Sequence, residues 1–235
     1  MEKERNFLWL IGAGLAGVAA LAGYVSVIRP RHLKWGATDQ EAHELLSGDD
    51  VLMHPEQEAT HAITINAPVS DVWPWLVQIG QNKGGFYSYS WLENMVGCNL
   101  HNADRVVPEW QSLRVGDVVW LHPKAPPLPV IIVEPDRAIV LGGIGEAEDG
   151  SRAGGTWGMY LKEIDATTTR LILRIRWARE RGLISWLSNY VVLEPAHFIM
   201  ERKMMLTIKK RAENLGRQRA AKPDGIESRA ASASR

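Results

Sequence analysis

The sequence predicts an α+β domain, an antiparallel sheet closed by one long C-terminal helix, with an apolar segment in front of it. Three observations carry this. Stretches of alternating polarity between residues 117 and 177 are joined by turns too short to hold helices, which gives adjacent antiparallel strands and not a βαβ repeat. From Ala196 to Ala212 apolar residues recur every four positions, the stripe of a helix lying on a sheet. Residues 7–28 carry no charge and are followed by Arg29, Arg31 and Lys34.

The totals agree with one domain. The chain has 235 residues, of which 46% are hydrophobic, enough to bury a core. Lys+Arg and Asp+Glu both number 27, so the basic excess of a nucleic-acid binder is absent. A lone Cys98 allows neither an intramolecular disulfide nor a cysteine-cluster zinc site. Ten tryptophans stand against three phenylalanines, and this suits a cavity wall as well as a packed core.

At the N-terminus, a helix over residues 7–28 would span roughly 33 Å, against about 30 Å for a bilayer core. Gly12, Ala16 and Ala20 would permit close helix packing, and Pro30 ends the helix. These features predict a transmembrane anchor over 1–29 and a single-pass membrane protein. Lys3 and Arg5 nearly balance Arg29, Arg31 and Lys34, and the domain leans to the cytoplasmic side. Two other readings are weaker. Gly12, Gly14 and Gly17 match a dinucleotide fingerprint, but the acidic ribose partner about 20 residues on is replaced by Arg29, Arg31 and His32. Ala20-Leu21-Ala22 fits a signal-peptide cleavage site, but the apolar run continues to Ile28 and Glu2 and Glu4 sit in the leading segment.

Residues 30–59 read as a linker, with Thr38 capping a short helix and a turn at residues 47–50. Residues 61–65 form a strand. After Ala67-Pro68 a helix begins at Ser70 or Asp71 and runs to Ile79, with Val72, Trp73, Leu76 and Ile79 on its apolar face. Pro74 argues for a late start or a kink. Residues 84–110 are the densest polar-aromatic block. Residues 84–97 within it read as a second helix, which would put Tyr87, Trp91, Asn94 and Met95 on one face.

The order of these pieces is familiar: a strand and alanine–proline, then VSDVWPWLVQIG, GGFYSYSWLENMVG and ADRVVPEWQSLRVGDVV. It resembles the START/polyketide-cyclase (SRPBCC) superfamily, in particular small prokaryotic members with a Tyr-Ser-Tyr/Trp second helix, over residues 60–216. The resemblance implies a helix-grip fold. A long C-terminal helix crosses a curved antiparallel sheet, two short helices close one end, and an apolar ligand lies between. Members of the superfamily include cyclases, hydroxylation components and lipid carriers. The resemblance does not choose among them and carries over no catalytic residue.

The remaining residues fit that order. Residues 117–121 form a strand. Residues 130–134 and 138–141 form a hairpin through Pro135-Asp136-Arg137. Residues 142–155 read as a glycine-rich acidic loop. Residues 156–164 form a strand with Trp157, Met159 and Leu161 on one face. Residues 168–177 place Leu171, Leu173, Ile175 and Trp177 opposite Arg170, Ile172, Arg174 and Arg176, and the arginine side reads as a solvated outer surface. The closing helix starts at Pro195 and carries Ala196, Met200, Met204, Ile208 and Ala212, widened by Ile199, Met205 and Leu215. Residues 217–235 read as a disordered tail.

These features predict a binding domain for a hydrophobic small molecule or lipid. The candidate lining is Tyr87, Trp91, Met95, His101, Trp120, Trp157, Met159, Trp177, His197, Met200 and Met204. The alternative is a cyclase or dehydratase in which His101 moves a proton beside Asp104 or Glu109. A third reading is a partner-binding domain at the membrane, its protein partners unspecified. No cofactor is implied. His101, His122 and His197 lack the spacing of a metal motif, Cys98 lacks an activating neighbour, and Ser88 and Ser90 lack the elbow of a serine hydrolase.

Overall fold

A computed structural model describes residues 19–146, 152–178 and 189–220, with Trp9, Gly12, Ala16 and Gly17 before them. Six strands form one antiparallel sheet in the order β1-β6-β5-β4-β3-β2. They are β1 (Gln57–Ile65), β2 (Val118–Val119), β3 (Leu128–Glu134), β4 (Ala138–Glu146), β5 (Arg152–Asp165) and β6 (Thr168–Trp177). The described α-helices after residue 28 are α1 (Arg29–Leu33), α2 (Asp39–His43), α3 (Val69–Val77), α4 (Ser90–Met95) and α5 (Glu194–Ala220).

The period of two sorts the strand residues into two buried faces. Ile63 and Ile65 of β1, Trp157, Met159 and Leu161 of β5 and Leu171, Leu173 and Ile175 of β6 pack with Met204, Met205, Ile208 and Ala212 of α5. This is the inner face, and α3 closes it with Val72, Trp75 and Leu76. The alternate residues Ala62, Ala138, Val140, Tyr160 and Ile172 form a second, outer cluster under Ala37 and Leu46.

The outer face is not solvated, contrary to the sequence expectation for Arg170, Arg174 and Arg176. Arg174 is only 2% exposed. It donates to Asp49 Oδ2 at 2.6 Å, to the Glu44 and Glu41 carbonyls and to Thr60 Oγ1. Arg176 pairs with Asp49 Oδ1 at 2.8 Å, and Arg170 grips the Glu41 carboxylate. That pairing holds the Glu41 carboxyl down at about 2. Thr38 and Glu41 form a reciprocal capping box that sets α2 in place over these arginines.

Several element boundaries also differ. The expected loop at 142–155 is largely ladder, because β4 reaches Glu146 and β5 begins at Arg152. Gly142 and Gly154 sit at φ +108 within the ladder, where a Cβ would fall on the facing carbonyl. Glycine marks a close approach of two strands there, not a loop. α3 begins at Val69, so Pro74 lies in its second turn, where it has no N–H for the Ser70 carbonyl. α4 covers only Ser90–Met95, since Tyr87 takes φ +56 and Gly80 and Gly85 exchange backbone hydrogen bonds before it. α5 continues to Ala220, and the rest of the expected tail, 221–235, lies outside the described residues.

The single-pass membrane assignment is corrected. Among the described residues no helix is long and apolar enough to cross a membrane. Most of residues 7–18 lie outside the described residues. The end of the segment that is described passes through a π-helical turn, Tyr24–Ile28, into α1. It is tied to the domain. The Tyr24 hydroxyl donates to the Tyr190 carbonyl at 3.1 Å, and the Arg29 guanidinium clasps Glu194 at 2.8 and 2.9 Å.

Candidate functional site

The face of α5 turned to the sheet reads Glu201, Met204, Met205, Ile208, Arg211, Ala212 and Leu215, a helical stripe with a charge near each end. Glu201 and Arg211 are about 15 Å apart along the axis at 1.5 Å rise per residue. Buried Met204, Met205 and Ile208 lie between them, in one core cluster with Met159 and Leu173.

At the Glu201 end every polar atom is matched. His61 on β1 binds Glu201 Oε2 through Nδ1 and the His32 carbonyl through Nε2, the latter at 2.8 Å. Both ring nitrogens face acceptors, the Glu201 carboxylate and the His32 carbonyl. Trp157 Nε1 donates to Glu201 Oε1 at 3.0 Å. Burial raises the Glu201 pKa, but the hydrogen bond and charge of His61, with His197 and Trp157, bring it below its ordinary value. The Phe198 ring stacks on His32 and meets His61 and Trp35 edge-on. His32 in turn donates to Glu194, which also receives Arg29 and Gln57. This network fastens residues 24–35 to the start of α5.

At the Arg211 end the balance differs. Trp75 on α3 and Tyr87 before α4 are each 1% exposed. Their rings meet edge-on at 5.8 Å, and the Arg211 guanidinium lies 5.3 Å from the first ring and 4.7 Å from the second. Trp75 Nε1, Tyr87 Oη and Arg211 Nη1 are all buried, and among the described residues none of them has an acceptor for its hydrogen. Burial raises the Tyr87 phenol well above its usual pKa, against the opposing pull of Gln78 and Arg211, so it keeps its proton. Burial also lowers the Arg211 pKa, opposed by Tyr87 and by the charge of Asp104.

The turn that presents Tyr87 is built for it. Asn102 Oδ1 accepts the Tyr87 backbone N–H at 2.6 Å, while its Nδ2 donates to the Ser88 carbonyl and Ser90 Oγ. A side chain at Gly85 would collide with that Asn102 oxygen, and one at Gly84 with the Tyr87 hydroxyl. Ser88 Oγ donates to the Met200 carbonyl and holds the turn against α5. Gln78 binds the Arg105 carbonyl and the Val107 N–H, pinning the loop at 99–110.

Of the residues expected to line a site, Tyr87, Trp157, Met159 and Met204 are buried on the inner face. Met200 is half-buried on α5. Trp91 and Met95 do not join them: at 64% and 74% exposed they sit on the outside of α4. Their shared face with Tyr87 required a helix through residue 87, and φ +56 breaks it. Trp120, Trp177 and His197 are also exposed. His101, Asp104 and Glu109 are all exposed on the 99–110 loop, so the acid–base group read from the sequence does not close on an enclosed site. The charge of Asp104 acts on Arg211, opposing the effect of burial there. Sequence reasoning missed Trp75 and Arg211. Arg211 had a readable signal, since it falls seven residues after Met204 and three after Ile208, inside the apolar stripe.

No family model matches the chain, and no curated protein matches it. Solved structures similar to it include the hypothetical protein jhp0584 from Helicobacter pylori, with TM-score 0.43 and 10% identity over 75% of this chain and 99% of that one. A norcoclaurine synthase point mutant from Thalictrum gives TM-score 0.38 and 11% identity over 68% and 96%. The Aha1 dimer from Colwellia psychrerythraea gives 0.37 and 14% over 67% and 96%. At these scores the likeness does not bear on function.

Proposed function

We propose that this chain is a helix-grip domain that binds a hydrophobic small molecule or lipid between the inner face of the sheet and α5. The order of its motifs, which resembles that of the START/polyketide-cyclase superfamily, supports the reading. The observation that carries it is the stripe of Met204, Met205 and Ile208 ending at three buried donors without acceptors among the described residues. Buried polar groups in proteins are almost always matched, and one left unmatched calls for a reason such as strain, a functional role, or a water, ion or ligand that completes it. Methionines repack around irregular apolar shapes at small cost. Apolar walls with a few converging polar groups are the usual make-up of a small-molecule site.

Native mass spectrometry of the full chain, purified gently, tests this. The expected result is a bound organic molecule that denaturation releases, with rebinding that changes tryptophan fluorescence. A chain that carries nothing, and takes up no fatty acid, sterol or polyketide from a panel, would overturn the reading.

A further inference from the structure

We infer that the ligand is an apolar acid whose anionic head is held by Arg211, Trp75 and Tyr87. The inference rests on the binding reading above and names the chemical class of the ligand. An indole N–H and a guanidinium can only donate hydrogen bonds. A phenol that stays protonated adds a third donor. Trp75 Nε1, Arg211 Nη1 and Tyr87 Oη are buried together without acceptors among the described residues, so what completes them must accept.

Charge separates an anion from a neutral acceptor. Arg211 is positioned by two aromatic faces, and no carboxylate pairs with it within ion-pair distance among the described residues. A partly buried cation is costly unless an anion meets it. Two carboxylates need placing. Asp104 offsets part of the charge from the exposed loop at 99–110. Asp71, one turn before Trp75 on α3, has Oδ2 beside Gly216, more than a turn beyond Arg211 on α5. A carboxylate head can take two parallel N–H bonds from a guanidinium and still accept from Trp75 and Tyr87. Its apolar tail would then run along Ile208, Met205 and Met204 toward Glu201. There the polar groups are already matched and offer a tail no competing bond.

The test follows indole N–H resonances of the 15N-tryptophan-labelled full chain, with Trp75 assigned by Trp75→Phe. Dodecanoate and dodecanol are titrated in parallel, and Arg211→Met is titrated with dodecanoate. Dodecanoate is expected to shift the Trp75 resonance and to bind about tenfold or more tighter than dodecanol, and Arg211→Met is expected to remove the difference. Equal binding of acid and alcohol would overturn the anionic head and leave the hydrophobic site standing. Binding of neither probe would overturn both. An acid that binds while Trp75 stays still would place the head elsewhere and overturn this assignment.

Discussion

The two ends of the inner face are built from the same sheet and the same helix, yet they treat their polar groups in opposite ways. At the Glu201 end, His61, Trp157 and the His32 carbonyl account for each donor and acceptor. At the Arg211 end, three donors are buried with no acceptor among the described residues. A satisfied buried network fixes one packing and stabilises it, whereas an unsatisfied one costs free energy that only a further partner recovers. On that basis the first end is a fastening for residues 24–35, and the second is the end proposed to hold a ligand.

The largest effect should come from breaking the fastening. Glu201→Ala leaves His61 Nδ1 and the Trp157 N–H buried without the carboxylate they share, and should cost about 3–5 kcal/mol in urea unfolding. Replacing both members with apolar residues, His61→Leu with Glu201→Met, should recover most of that loss. If Glu201→Ala costs less than about 1 kcal/mol, the fastening is not what its geometry implies. Asp49 offers the same test on the outer face. Asp49→Ala removes the carboxylate that Arg174 and Arg176 share and should cost about 3 kcal/mol, seen as a lowered melting temperature.

The Arg211 end should respond differently. Arg211→Met removes an unmatched buried donor along with two ring contacts, so the unliganded chain should change by no more than about 1 kcal/mol. A loss as large as that of Glu201→Ala would mean that Arg211 is structural and would erase the contrast. The smallest effect concerns acid. The folded-state pKa of Glu41 is depressed to about 2, so its pairing stabilises fully above the unfolded carboxylate range and is lost as pH falls toward 2. Glu201 and Glu213 are depressed as well and act in the same sense. Glu41→Gln should flatten the fall in melting temperature measured between about pH 4.5 and 2.

Much of the frame was legible in the residues. The alternation in β6 gave its bounds, Thr168–Trp177, and Asp136 at φ +60 sits in the turn that its neighbours suggested. Met204, Ile208 and Ala212 marked the buried side of α5 because a helical period survives whatever covers it. The arginines of β6 misled because alternation says that two faces differ, not that one is wet. What covers them, Glu41 and Asp49, lies more than a hundred residues earlier in the chain. Glycines 142–155 read as loop because composition cannot distinguish a free turn from two strands in close contact. Tyr87 was found for the wrong reason, since a positive φ at a tyrosine follows from Asn102 and the Gly84–Gly85 approach and not from local preference. Trp75 was passed over although it lies three residues after Val72 and four before Ile79, on the same buried face of α3.

One titration bears most directly on the contrast between the two ends. Dodecanoate affinity is measured by calorimetry for the full chain, for His61→Leu with Glu201→Met, and for Arg211→Met. The account predicts that the double variant binds like the parent and that Arg211→Met loses about tenfold or more in affinity. Loss of binding in the double variant with full binding in Arg211→Met would contradict it.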